Sequence, residues 1–375
     1  MFQAMAVGVV SGVIGTAFSF VLEQVTLMHS SRPRLILGMP VAGGILFSIG
    51  RFFRGPDPIN GFSRILWHFG SGTVSHLVGA SVGREGAIVR MSTVGSRLVG
   101  TFLSPKLPRS MDLSRTLGHA GGFAAAIGQP FTGVFFAWER GKSPGLTHAG
   151  SILVCALVAA YSAKALGTSF LQIPPLAPIT GFWSPAVAVS ILGLTCGGIG
   201  RLFVILKTKL ESHSKWLPDS PIRGWLGGTV LLLLLAPDGM RLYRGLGIET
   251  IGTSFTGLVP WEAPALKLVF TLLSLAFAFS GGEFIPLVFV GATTGNVLNQ
   301  WIPLDSALLP SLGAAVVFGA AARLPITACA LSCFWSGPGI APWALLAHGI
   351  AALVTIGAPS IYGETYWTSK RSPER

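Results

Sequence analysis

Apolar runs follow one another along this chain from end to end. They cover Met1 to Leu22, Leu35 to Phe53, Ile65 to Val82, Leu117 to Trp138, Ile152 to Leu166 and Pro185 to Leu206. They continue over Trp225 to Ala236, Leu266 to Phe279, Ile285 to Leu298, Leu308 to Phe334 and Trp343 to Ile356. Only 11% of the residues are charged and 51% are hydrophobic, whereas a soluble domain carries about 25% charged residues. The chain therefore reads as a multi-pass integral membrane protein. Many runs fall short of the roughly 20 residues that a perpendicular span requires, and others are interrupted by some of the 49 glycines and 25 prolines. That pattern predicts an all-α protein of tilted, broken and re-entrant helices. Breaks are tolerated where the freed backbone lines a cavity, so helix N-termini can meet in mid-membrane.

The charge balance is strongly basic, with a net charge of +12. In a soluble protein this would suggest nucleic acid, but no basic stripe here is interleaved with exposed aromatics. The cations Arg32 and Arg34, Lys106 and Arg109, Lys207, Lys209 and Lys215, and Lys370, Arg371 and Arg375 flank apolar runs, and we place them in loops as topology anchors. The four cysteines, Cys155, Cys196, Cys329 and Cys333, lie in apolar runs without a Cys-x-x-Cys pair. They read as small core residues and not as a metal site. No His-Glu-x-x-His occurs, and no nucleophile, base and orienting group stand in a recognisable set, so an enzyme is not expected. The first apolar run lacks a small-residue cleavage site after it and is expected to be a retained helix.

Against this background Gly83-Arg84-Glu85-Gly86 stands out, because an ionisable group in the bilayer marks an ion or proton path by default. The stretch opens a pattern that recurs. GREGAIVRMSTVG from Gly83 to Gly95 is matched by GEFIPLVFVGATTG from Gly282 to Gly295, each a glycine-led, acid-bearing break ahead of an apolar helix. Downstream of the two, AAAIGQPFT from Ala124 to Thr132 is matched by GAAARLPIT from Gly319 to Thr327. Two matches in the same order predict a duplicated transporter half, about 1–167 and 168–375, with the copies inverted relative to each other. Helix N-termini present unpaired N–H groups and the positive end of the macrodipole, so converging breaks form an anion site that needs no formal positive charge. A carboxylate placed there competes with the anion when ionised, and vacates the site and carries a proton when protonated.

The stretch SHLVGASVGREGAIVRM from Ser75 to Met91 closely resembles the region around the gating glutamate of the CLC chloride channel and antiporter family. Its His-Leu-x-Gly-x-Ser run is most similar to the fluoride-exporting branch. Four more blocks agree in order: GFAAAIGQPFTGVFFAWE from Gly122 to Glu139, YRGLGIETI from Tyr243 to Ile251, GGEFIP from Gly281 to Pro286 and GAPSIY from Gly357 to Tyr362. The resemblance implies a CLC-type fold of two inverted repeats in a single membrane domain without a soluble regulatory module. It further implies a homodimer with a pathway in each subunit, in the plasma or inner membrane of a prokaryote. It assigns Glu85 as the gating, proton-coupling acid. Gly83, Arg84, Gly86, Ala87 and Ile88, with Glu283, Phe284, Ile285 and Pro286, become the anion cradle, and Tyr362 a hydroxyl donor to the anion, with Tyr366 as its rival.

The sequence also departs from the family pattern. The turn Gly55-Pro56-Asp57-Pro58-Ile59 is the candidate first anion loop, although such a Pro-rich segment is by default a plain turn. Arg90 stands where relatives usually carry a neutral glutamine, and Ile285 where a threonine is expected in fluoride members. Arg140 follows Glu139 where many proton-coupled chloride exchangers have a second acid; Glu139 itself reads as a structural acid. Glu283 resembles the fluoride branch, while its plain role is a helix cap. Phe62, Phe284 and Phe289 are either ring edges for a small anion or core packing. The function these residues imply is export of fluoride in exchange for protons, without cofactor or metal. A chloride channel or chloride/proton exchanger, and a transport-inactive structural relative, remain the alternatives.

Overall fold

The computed structural model describes residues 1–53, 61–103, 111–141, 148–174, 176, 183–213, 220–277, 279–302, 304 and 307–363. The candidate loop Gly55 to Ile59 lies outside these residues, as do Lys106, Arg109, Lys215, Tyr366, Lys370, Arg371 and Arg375. In chain order the first α-helices are α1 (Phe2–Ser31), α2 (Met39–Gly50), α3 (Gly61–Leu77), α4 (Glu85–Leu103), α5 (Met111–Ile127), α6 (Pro130–Arg140) and α7 (Ala149–Ala165). They are followed by α8 (Trp183–His213), α9 (Pro221–Leu235), α10 (Ile248–Thr256), α11 (Ala263–Ala276) and α12 (Phe284–Trp301). The last are α13 (Leu308–Ala322), α14 (Pro325–Ser336) and α15 (Ala341–Val354). Among the described residues three helical stretches, Phe2–Ser31, Pro33–Phe53 and Ser184–Ser212, are long and apolar enough to cross a membrane, and six more apolar helical stretches are shorter than that. Short helices are what the interrupted runs predict.

The chain divides into two units. The first comprises Met1–Phe170, Glu211–Leu246 and Leu273–Ile285. Within it α5 packs against α4, α6 and α7, α1 lies against α7 and α4, and α2 pairs with α9. The core of this unit is built largely of alanine, with Ala120, Ala124, Ala125, Ala156, Ala159, Ala160 and Ala163 buried together. Small side chains let helix axes approach closely, which is how packing is gained between helices in lipid. The seam between α4 and α5 is the clearest case. A methyl group at Gly118 would lie 2.5 Å from Thr93 Cα, and one at Gly122 would lie 2.8 Å from Val89 Cα, so α5 presses bare backbone onto the helix that starts at Glu85.

The second unit comprises Leu171–Leu210, Gly247–Leu272 and Pro286–Arg375. In it α13, α14 and α15 pack on one another, and α10 touches α13. Every residue of α13 is buried, so this helix is apolar all round and has no polar face to show. One expectation needs correction here. Lys207 and Lys209 are not loop cations but belong to α8, which runs on to His213; Lys207 Nζ reaches the Ile361 carbonyl at 3.5 Å. Long cationic side chains extend from a helix to polar partners, so a helix need not stop where its apolar run stops.

The two matched blocks share a backbone signature, each within its own unit. Gly128 follows α5 in the left-handed region with φ +81°, and Arg323 follows α13 in the same region with φ 56°. In both blocks a proline two residues later opens the next helix: Pro130 starts α6 and Pro325 starts α14. In the first copy the Gln129 side chain accepts the Thr132 N–H at 2.8 Å, an N-terminal cap. In the second, Leu324 stands at that position and supplies no cap.

Candidate functional site

Between α3 and α4 the chain leaves helical geometry for the residues before Glu85 and is pinned on both sides. The Ala80 N–H donates to the Ser75 carbonyl at 2.9 Å, and the Gly245 N–H donates to the Gly79 carbonyl at 3.1 Å. Ser81 N–H donates to Ser274 Oγ at 3.1 Å, and Ser280 N–H donates to Ser75 Oγ at 2.9 Å. The break thus trades helical hydrogen bonds for bonds to serines and to a second break, as buried backbone must.

That second break is the matched one. Gly83 and Gly282 form an isolated antiparallel bridge, with the N–H of each donating to the carbonyl of the other at 2.6 Å. Two residues beyond each glycine a helix begins, α4 at Glu85 and α12 at Phe284. Only glycine allows this approach. A methyl at Gly282 would lie 2.6 Å from Gly86 N, and one at Gly86 would lie 2.8 Å from Gly282 Cα. The acid-bearing breaks read from the sequence are therefore hydrogen-bonded to each other.

Glu85 is the first residue of α4 and is 2% exposed. Its Oε1 accepts from Arg84 Nε at 3.2 Å, while its Oε2 is buried with no hydrogen-bond partner among the described residues. Arg84 is 8% exposed and donates through Nη2 to the Ser169 carbonyl at 3.0 Å. The N–H groups of Ala87 and Ile88 both donate to the Arg84 carbonyl, at 3.1 and 3.2 Å. Those two amides are folded into the helix, and the amides of Glu85 and Gly86 lie ahead of these first N–H donors.

Across the bridge Glu283, Phe284 and Ile285 are buried. The Phe284 ring meets Phe123 edge-on at 5.7 Å, and Phe123 stacks on Phe136 at 4.2 Å, so Phe284 is part of an aromatic stack. Pro286 is the third residue of α12 and contributes no N–H. Tyr362 belongs to the second unit, where its N–H donates to Ser360 Oγ at 3.1 Å and Ser360 Oγ donates to the Ala322 carbonyl at 2.7 Å. These bonds tie the tyrosine to the end of α13. Arg90 is exposed. Glu139 is buried, and the Arg140 guanidinium lies 5.7 Å from the centre of the Phe136 ring. Among the described residues no three His, Cys, Asp or Glu side chains gather as metal ligands do.

Sequence reading did not single out Ser169, Ser274 or Ser280. Ser169 acts through its backbone carbonyl, which no residue type advertises. Ser280 acts through its backbone N–H, and Ser274 is a serine in apolar surroundings, where most serines bond their own helix.

The family model described as "Voltage gated chloride channel" matches residues 53–355. The chain belongs to the CLC family. It is 30% identical over 389 residues to the chloride/fluoride channel protein of Pseudomonas syringae pv. tomato, covering 95% of this chain and 84% of that one. It is 24% identical over 387 residues to the H(+)/Cl(−) exchange transporter ClcA of Vibrio vulnificus, covering 87% and 80%. Among solved structures it resembles a CLC-type fluoride/proton antiporter, with a TM-score of 0.86, 25% identity and 96% of each chain covered. A slow cyanobacterial Cl−/H+ antiporter superposes with a TM-score of 0.82 at 18% identity, a likeness of fold. The protein is thus an all-α, multi-pass integral membrane member of the CLC family, and its break at Gly83 to Gly86 opens a CLC helix.

Proposed function

We propose that this protein exports fluoride across the membrane in exchange for protons, with Glu85 as the exchanging acid. The observation that carries the reading is the buried carboxyl at the first residue of α4, beside the glycine bridge, with one oxygen on Arg84 and the other without a hydrogen-bond partner among the described residues. A group so placed is at once an anion at a helix N-terminus and a proton acceptor. Ionised, it occupies the place of the halide; protonated, it yields that place and takes its proton along. The amides ahead of the first helical N–H donors, at Glu85 and Gly86, and those of Phe284 and Ile285 serve the halide in its turn.

Fluoride is favoured over chloride by Glu283. A small, basic halide accepts a strong hydrogen bond, and a protonated carboxyl near the path rewards it more than it rewards a larger, softer one. The name of the Pseudomonas relative includes both halides, and the structure at 25% identity is a fluoride/proton antiporter. Assembly as a homodimer with one pathway per subunit belongs to the same proposal.

The test is efflux of fluoride and of chloride from liposomes carrying the purified protein, with pH recorded at the same time. Fluoride loss with proton uptake is expected, and Glu85→Gln keeps the fold while proton movement stops. Equal proton flux in wild type and Glu85→Gln overturns the role of Glu85. Chloride outrunning fluoride transfers the reading to a chloride exchanger or channel, and no efflux of either halide from folded protein marks an inactive relative.

A further inference from the structure

We propose that Arg84, anchored on the Ser169 carbonyl, is the positioning residue that holds the Glu85 carboxylate in the place of the halide. The inference rests on the reading of Glu85 as the exchanging acid and adds what keeps that acid from moving. Arginine is suited to the task because its guanidinium is a rigid planar fork whose edges can bond two partners at once. Here Nε takes Glu85 Oε1 at 3.2 Å and Nη2 takes the Ser169 carbonyl at 3.0 Å. Adjacent residues within a helix do not face each other. Arg84 precedes α4, in the bend before the helix, and from there it turns back to its neighbour's carboxylate.

The anchor is itself fixed. Thr168 N–H donates to the Ala163 carbonyl at 3.0 Å, and Thr168 Oγ1 is bonded to Thr16 Oγ1 of α1 at 2.7 Å. Phe170 lies over Gly128, where a methyl would sit 2.7 Å from its ring. The strap from Gly167 to Phe170 is thereby tied to α7, to α1 and to the turn between α5 and α6, and it presents one carbonyl to Arg84. Arg84 reaches the carboxylate through Oε1, and among the described residues Oε2 has no hydrogen-bond partner. The Arg84 side-chain bond is charge-assisted and acts beside the backbone N–H groups of Glu85 and Arg84; it raises the threshold for release, and such a bond is strong enough to matter and weak enough to break.

The alternative role for Arg84 is a direct contact to the halide, and the two roles differ in sign. If Arg84 latches the acid, Arg84→Gln frees the site and halide affinity rises about tenfold. If Arg84 contacts the halide, affinity falls. The experiment is calorimetric titration of fluoride and chloride into the full-length purified protein, as wild type, Arg84→Gln, Glu85→Gln and the double variant, with efflux assayed in parallel. Tighter binding in Arg84→Gln that disappears or reverses in the Glu85→Gln background is expected. So is failure of Arg84→Lys to restore the wild-type value, because a compact ammonium does not span both partners. Thr168→Val, which leaves Arg84 in place and loosens its anchor, moves affinity the same way by about threefold. It also keeps the test alive should Arg84→Gln not fold.

The same change in both backgrounds, or wild-type behaviour of Arg84→Lys, overturns the latch while the exchange reading stands. Wild-type protein that binds no halide removes both.

Discussion

At the scale of single residues the chemistry converges on two glycines and the acid beside them. Glycine is needed at 282 because the facing amide of Gly86 occupies the space a side chain would take. Gly282→Ala is expected to cost about 1–3 kcal/mol through overpacking and to reduce fluoride efflux at least in proportion to the folded protein lost. Thermal unfolding in detergent measures the first, liposome flux the second. Gly349→Ala, in α15 with nothing within 4 Å of the added methyl, is the control and should be neutral or stabilising by about 0.5–1 kcal/mol. Reading the residues in order exposed Glu85 and its glycines at once, since an acid in an apolar run has few structural excuses. The strap at Ser169 stayed hidden, because its part is played by a carbonyl that every residue possesses.

At the scale of elements, the helices begin and end where backbone chemistry changes. The turn between α5 and α6 needs a left-handed residue, then a cap, then proline; its counterpart between α13 and α14 keeps the first and last of these and lacks the cap. Gln129→Ala is accordingly expected to destabilise by about 0.5–1.5 kcal/mol. Leu324→Gln should recover up to a similar amount in the other copy if a capping geometry is reachable there. Paired unfolding curves of the two variants check both. The α4–α5 seam makes a stronger demand, and Gly122→Val should lower stability by at least about 1–3 kcal/mol, because it drives a branched side chain into Val89 Cα. These junctions were partly legible in the amino-acid order: proline and glycine mark breaks whatever the surroundings. The extent of α8 was not, because lysines that reach polar partners from within a helix look, in sequence, like the loop that follows one.

At the scale of the whole molecule the question is what the protein selects and what it exchanges. Fluoride and chloride compete for one site in the proposed cycle, so chloride inside the vesicle should slow fluoride efflux in wild type, and do so less once Glu283→Gln has removed the acid credited with the preference. Flux at fixed fluoride and rising chloride reads this directly, and an unchanged inhibition in Glu283→Gln would remove that residue from selectivity. Family and fold were open to a reader of the sequence through five ordered blocks spread over the chain. Halide preference was less so, because any such preference depends on hydrogen-bond geometry, and spacing along a chain says little about distances across it.

The bridge between Gly83 and Gly282 also bears on how the protein is made. The partner of Gly83 is encoded roughly two hundred residues later, and a ribosome adding about 5–20 residues per second needs on the order of 10–40 s to supply it. Through that interval the nascent first half sits in the membrane with the start of α4 still open and its acid and arginine unsheltered. Substitutions that weaken the early contacts of this region should therefore show first as poor insertion and rapid degradation in the cell, before any defect is seen in the finished transporter.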